Sequence, residues 1–160
     1  MRDRTRFLSL LLLTAVLPAW ADFSAGLDAF QKGDYTTAVK EWRPLAEEGD
    51  PIAQFNLGLL YLDGHGVPQS DAEAVNWFRR AAEQDYAQAQ HNLGAMYGKG
   101  QGVKRDFIQA YKWLNICAAK GNSGCVTQRD LIAKKLKPGQ IAEAQRLATL
   151  FQPQLESAKQ

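Results

Sequence analysis

Residues 53–67 read AQFNLGLLYLDGHGV and residues 89–103 read AQHNLGAMYGKGQGV, so the chain copies itself with a period of 36 residues. A period of this size means stacked units, because one short unit cannot bury both of its faces and must lean on a neighbour. Residues 51–86 align with 87–122 without a gap. Twelve positions match, among them Ala53/Ala89, Gln54/Gln90, Leu57/Leu93, Gly58/Gly94, Tyr61/Tyr97, Gly66/Gly102 and Trp77/Trp113. The same phase runs backwards, placing Ala38, Val39 and Ala46 on Ala74, Val75 and Ala82. Forwards it decays over residues 123–151, as a terminal capping repeat does.

Each unit reads as two helices. Ala53, Leu57 and Tyr61 recur every four residues and mark one apolar face. Asp50-Pro51 is a start signal, an N-cap followed by proline in the first turn. Gly64, Gly66 and Pro68 break that helix. Ser70-Asp71-Ala72-Glu73 has the form of a capping box for a second helix, and Asp106-Phe107-Ile108-Gln109 repeats it. The second helix buries Ala74, Trp77, Phe78, Ala81 and Ala82. Before these units, LDAFQKGDY (27–35) predicts a shorter first helix and a tighter turn. Pro44 falls inside the second helix of that unit and is expected to kink or shorten it. The fold class is therefore an all-α solenoid with units at about 23–50, 51–86 and 87–122, a capping helix pair at 123–151, and a flexible tail at 152–160.

The N-terminus carries Arg2, Arg4 and Arg6, an apolar run of 11 residues from Phe7 to Leu17, and then Ala19-Trp20-Ala21. This is the plan of a secretory signal peptide cleaved after Ala21. The run is short of the roughly 20 residues that a spanning helix needs, so no stable membrane insertion is expected after cleavage. Removing Arg2, Arg4, Arg6 and Asp3 leaves 16 basic and 16 acidic side chains. A balanced chain has no global attraction for nucleic acid or anionic lipid. Arg79-Arg80 reads as a solvated face. Lys134, Lys135 and Lys137 read as cations near a helix C-terminus, where the macrodipole favours them.

Cys117 and Cys125 are the only cysteines. In the 36-residue phase they occupy the positions of Ala81 and Ala89, where one unit's second helix meets the next unit's first. Side chains there are small because the helices approach closely. A disulfide needs a Cα separation of about 5.5–6 Å, which such an approach provides, and export favours oxidation. The alternative is a pair of buried free thiols.

The pattern A-x-x-N-L-G-x-x-Y-x-x-G-x-G-V followed by A-x-x-W-x-x-x-A-A resembles the Sel-one-like repeat (SLR) family, a relative of the tetratricopeptide repeat. The match covers residues 51–122 well and 27–50 loosely, with Lys104 standing where the preceding loop has Pro68. The spacing CAAKGNSGC is similar to the bridge of cysteine-rich secreted members. RDLIAKKLKPGQIAEAQRLA (129–148) resembles a cap that follows bacterial arrays. The resemblance implies a scaffold, adaptor or regulator. An immunity protein against a periplasm-delivered toxin is the alternative, and a β-lactam-binding hydrolase is a more distant one.

Catalytic motifs are imitated rather than present. Gly98-Lys99-Gly100-Gln101-Gly102 lacks phosphate-loop spacing, and the repeat explains its glycines. Gly121-Asn122-Ser123-Gly124 has no histidine placed beside it by the sequence. His65 and His91, both given a surface role, form no metal-ligand spacing. None of Ser24, Ser70, Ser123 and Ser157 begins Ser-x-x-Lys, the element that β-lactam chemistry uses. No cofactor or metal is expected. Binding of another protein is expected on the first helices of the units, at positions that differ between copies. Phe55, Leu59 and Leu62 form a stripe whose counterparts are His91, Ala95 and Gly98. That stripe is either a groove for a partner segment or packing against a neighbouring unit. Gln54, Gln90, His91 and Lys99 are candidate polar contacts around it.

Overall fold

A computed structural model describes residues 22–154. The expected signal peptide and residues 155–160 of the expected tail lie outside the described residues. Those described form eight helices and no strand: α1 (Phe23–Gln31), α2 (Tyr35–Glu47), α3 (Pro51–Asp63), α4 (Asp71–Glu83), α5 (Ala87–Lys99), α6 (Phe107–Ala118), α7 (Ser123–Ala133) and α8 (Pro138–Thr149). Three consecutive pairs, α1–α2, α3–α4 and α5–α6, form hairpins, whereas the expected capping pair is not one: α7 and α8 each pack on α6 more than on one another. The second helix of each hairpin also packs on the first helix of the next, and α8 returns onto α6. The fold is the all-α solenoid that the period implies.

The start and stop signals act as their chemistry dictates. Asp50 Oδ1 accepts the N–H groups of Ile52 and Ala53 at 2.8 and 2.7 Å, with Pro51 opening α3. Asp106 Oδ1 does the same for Ile108 and Gln109 in α6. Ser70 Oγ accepts the Glu73 N–H at 3.2 Å, but the expected capping box is not completed: the Ser70 N–H donates to the Tyr61 carbonyl at 2.9 Å, as the Asp106 N–H does to Tyr97 at 3.0 Å. Gly64 and Gly100 close α3 and α5 in the left-handed region, at φ 70° and 73°. The first helix is short, with 9 residues. Pro44 does not shorten its helix: α2 runs through it and has 13 residues, as many as α3, α4 and α5. Pro44 sits about one turn from the helix end. It removes only the bond to the Lys40 carbonyl, and Lys40 is exposed to water.

Inside each hairpin a large side chain lies over a glycine. Trp42, Phe78 and Leu114 are one period apart and cover Gly26, Gly58 and Gly94. Between hairpins the loop of one unit lies against the start of the preceding unit's second helix. A Cβ on Gly102 would stand 2.3 Å from the carbonyl of Asp71, and one on Gly66 2.5 Å from that of Tyr35. Beside these approaches His65 stacks on Tyr35 with ring centroids 4.3 Å apart, whereas Gln101 Nε2 donates to Asp71 Oδ1 at 3.1 Å. The same junction is thus made with two different chemistries, and His65 has a packing role.

Arg79-Arg80 is corrected from a solvated face to a fastening. Arg79 donates to the Tyr97 hydroxyl at 3.3 Å, as Arg43 one period earlier donates to Tyr61 at 2.9 Å. Arg80 donates to the Ala46 carbonyl at 3.1 Å and lies over the Trp77 ring. At the C-terminal end the Phe151 ring meets Trp113 edge-on at 5.5 Å, and the Gln154 N–H donates to the Glu83 carbonyl at 2.7 Å. Residues 152–154, placed in the expected tail, include this contact to α4.

Cys117 and Cys125 form a disulfide with Cα atoms 5.9 Å apart, joining α6 to α7. Both are fully buried beside Leu114. Cys125 is the one buried residue of α7, and the half-buried Ile132 packs against the same cluster.

Candidate functional site

The residues expected to meet a partner separate into three groups. Gln54 and Gln90 belong to the interior, which corrects their assignment as rim contacts. Both side chains are fully buried. Gln54 Nε2 donates to the Ala46 carbonyl at 3.0 Å and its Oε1 accepts from Gln84 Nε2 at 2.8 Å. Gln90 Nε2 donates to the Ala82 carbonyl at 3.2 Å, and its Oε1 accepts from Lys120 Nζ at 3.1 Å. Gln84 and Lys120 are one period apart. Each buried amide therefore ties the end of one hairpin to the end of the next, and burying it is tolerated because its donors and acceptor are satisfied.

Phe55, Leu59 and Leu62 are half-buried and pack against the cluster that includes Phe78, Ala89 and Leu93. Phe55 approaches the rings of Phe78 and Tyr86, with centroids 5.7 and 5.3 Å away. Burial raises the Tyr86 phenol above its usual pKa, and the negative charge of Asp50 acts in the same direction. This stripe fills the junction between α3 and the following hairpin.

His91 and Lys99 form the third group. His91 is half-buried, and its Nε2 is inaccessible to solvent and has no hydrogen-bond partner among the described residues. It stands beside the Asn122-Ser123-Gly124 turn, 3.8 Å from where a Cβ on Gly124 would be. The structure thus places a histidine near Ser123, which the sequence did not indicate. The imidazole accepts nothing from that hydroxyl, so the base–nucleophile hydrogen bond of acyl-transfer chemistry is not formed. Lys99 is exposed at the end of α5.

One period after Leu59 and Leu62 the side chains shrink to Ala95 and Gly98, and there a groove opens. It encloses about 270 Å³ between α5 and α7. Gly94, Ala95 and Gly98 line one side, Leu131 and Ile132 the other, and Leu114 contributes from α6. Ile132 Cδ1 would lie 3.0 Å from a Cβ on Gly98, so the small residue lets α7 come close. Leu131 is 55% exposed at the rim, and Lys99 and Gln128 supply the polar edge. The surface is apolar and unobstructed. It can bury a hydrophobic side chain and offer a few hydrogen bonds beside it. Among the described residues no three His, Cys, Asp or Glu side chains gather into a metal-binding set. The exchange of Leu59 and Leu62 for Ala95 and Gly98 was the signal of this groove, although the sequence pointed to the large residues.

Comparison with known proteins agrees with the geometry. The family model described as Sel1 repeat matches residues 51–86 and 87–122. A Sel1 repeat protein from Oxalobacter formigenes superimposes with a TM-score of 0.63 at 31% identity, over 68% of this chain and 84% of that one. A protective antigen present in uropathogenic Escherichia coli strains, displaying an SLR fold, gives a TM-score of 0.75 at 35% identity over 79% of this chain. The present chain spans 28% of that antigen's length. No curated protein matches the sequence.

Proposed function

This chain belongs to the Sel1-repeat family, and we propose that it is an exported, non-catalytic module that seats a partner protein in the groove between α5 and α7. Sel1-repeat proteins generally mediate protein–protein interaction, and a solenoid offers its partners an extended surface rather than a closed cavity. The observation that carries the reading is the loss of side-chain volume at Ala95 and Gly98 with an exposed Leu131 across from them. A stack has no need of that void, since the preceding unit fills the same place with Leu59 and Leu62. A partner's apolar side chain entering the groove removes its own surface and that of Leu131 from water, worth about 25 cal/mol per Å² before the costs of association.

Export is supported by the leader-like N-terminus and by the buried Cys117–Cys125 bond, which belongs in an oxidising compartment. Among the described residues no helix is long and apolar enough to cross a membrane. Envelope adaptor and toxin-neutralising protein share this mechanism and differ in the partner they take.

The test is affinity capture from periplasmic extract with the wild-type chain and with Leu131→Asp and Ala95→Glu variants. Both substitutions fall at the groove and spare the fully buried core, so folding is checked by helical circular dichroism. The reading expects a partner recovered by wild type and lost by both variants. Equal recovery by folded variants would place the binding surface elsewhere.

A further inference from the structure

We propose that a second, basic cavity beside the cap receives an acidic segment of a partner protein. The cavity is an open depression of about 720 Å³ between the loop and start of α6 on one side and the α7–α8 turn on the other. Lys104, Arg105 and Lys135 line it, together with the apolar surfaces of Tyr97, Phe107 and Leu136. The carboxylate that faces it, Asp106, is already engaged by the first N–H groups of α6. Among the described residues none of the three cations has an acidic partner, unlike Lys32, Lys120, Arg129 and Arg146, which pair with Asp28, Asp85, Asp130 and Glu143.

Two comparisons indicate that the charge is not incidental. Residues 22–160 carry equal numbers of acidic and basic side chains, so a basic overall composition does not account for a positive cavity. One period earlier the same loop carries Pro68-Gln69 in place of Lys104-Arg105 and still begins a 13-residue helix. The turn therefore does not need the cations. The Arg105 guanidinium lies 5.5 Å from the centroid of the Phe107 ring, a contact that limits its freedom.

Like charges gathered around one cavity repel, and an anionic occupant relieves that repulsion. The apolar walls favour a peptide over a phosphate or a lipid surface, because glutamate and aspartate in a chain come with neighbours that can fill the space beside Tyr97, Phe107 and Leu136. The acidic segment need not belong to the occupant of the α5–α7 groove.

The experiment titrates residues 22–160, with the disulfide formed, with a fluorescein-labelled octapeptide of alternating glutamate and leucine. Anisotropy is read at low and high salt, and amide shifts are followed by NMR. Phosphatidylglycerol vesicles and inorganic phosphate serve as the other anions. Expected are saturable peptide binding weakened by salt, and shifts centred on Lys104, Arg105 and Leu136. A Lys104→Gln/Arg105→Gln/Lys135→Gln variant should bind about tenfold more weakly, three exposed charge pairs together being worth that much. A Lys40→Gln control, which removes an exposed cation from α2, should leave the binding unchanged. No saturable binding, binding indifferent to the triple variant while its melting temperature is kept, or preference for vesicles or phosphate would overturn the proposal.

Discussion

Lys120 Nζ lies 2.6 Å from the backbone carbonyl of Asp85, the one non-glycine residue with positive φ among those described. Asp85 stands one period from Gly49 and from Gly121, which adopt φ of 108° and 83°. An aspartate in the left-handed region costs about 1 kcal/mol. Its carboxylate offsets this by pairing with Lys120 and by accepting from Gln90 Nε2 at 3.0 Å. The pair is 31% and 41% exposed, so screening holds its worth to about 0.2–1 kcal/mol. Asp85→Gly should therefore unfold within about 1 kcal/mol of wild type. Asp85→Ala keeps the strain and loses the bonds, and should be less stable than the glycine variant by about 1 kcal/mol. Chemical denaturation of the two variants checks the order.

The buried amides make a paired prediction. Gln54→Leu leaves the Ala46 carbonyl without that donor and Gln90→Leu does the same at Ala82. Arg80 still donates to the Ala46 carbonyl and the Asp85 N–H to the Ala82 carbonyl, so each variant loses hydrogen bonds between hairpins without stranding a group, at about 1 kcal/mol per bond. An exposed glutamine on a binding rim would cost almost nothing. Denaturant midpoints of the two variants distinguish these.

Both glutamines were legible in principle. They are matched between copies, and matched positions maintain the stack; their polarity drew them to the surface in the reading of the sequence. What the sequence lacked was the partner, because Gln84 and Lys120 lie 30 residues away and differ in chemistry. The helical hairpins, their caps and the Cys117–Cys125 pairing were legible because each depends on spacing within about one period. The groove was visible as an inversion. Leu59 and Leu62 attracted notice as large side chains, yet it is their absence at Ala95 and Gly98 that leaves space. Arg79 and Arg80 looked solvated because a charge run says nothing about a tyrosine hydroxyl or a carbonyl brought over it by the neighbouring hairpin. Residue types set the local structure; which face stays open depends on volumes contributed by helices distant in sequence.

Glycines inside the hairpins should not tolerate a methyl group. A Cβ on Gly58 would sit 2.5 Å from the Phe78 ring and one on Gly94 2.8 Å from Leu114 Cγ. Overpacking of this kind costs about 1–3 kcal/mol. Gly139, in α8, has nothing within 4 Å of its Cβ position, so Gly139→Ala should be neutral or stabilise by up to about 1 kcal/mol. Melting temperatures of the three alanine variants test the contrast, with opposite signs expected.

Removing the disulfide should loosen one end selectively. A ring this short contributes about 2.5 kcal/mol on the chain-entropy model, and Cys125 is the buried residue of α7. In a Cys117→Ala/Cys125→Ala variant, amide exchange should accelerate in α7 and α8 well before α3 and α4 are affected. Uniform acceleration along the chain would mean that the cap and the repeats unfold as one.

Photocrosslinking tests the interaction face most directly. A benzoylphenylalanine placed at Leu131, beside the groove, is compared with one at Lys40, exposed on α2. The full chain is expressed in cells, irradiated and separated by mass. A discrete protein adduct from position 131 and none from position 40 is the predicted result. Adducts from position 40 with none from position 131 would contradict a partner seated between α5 and α7.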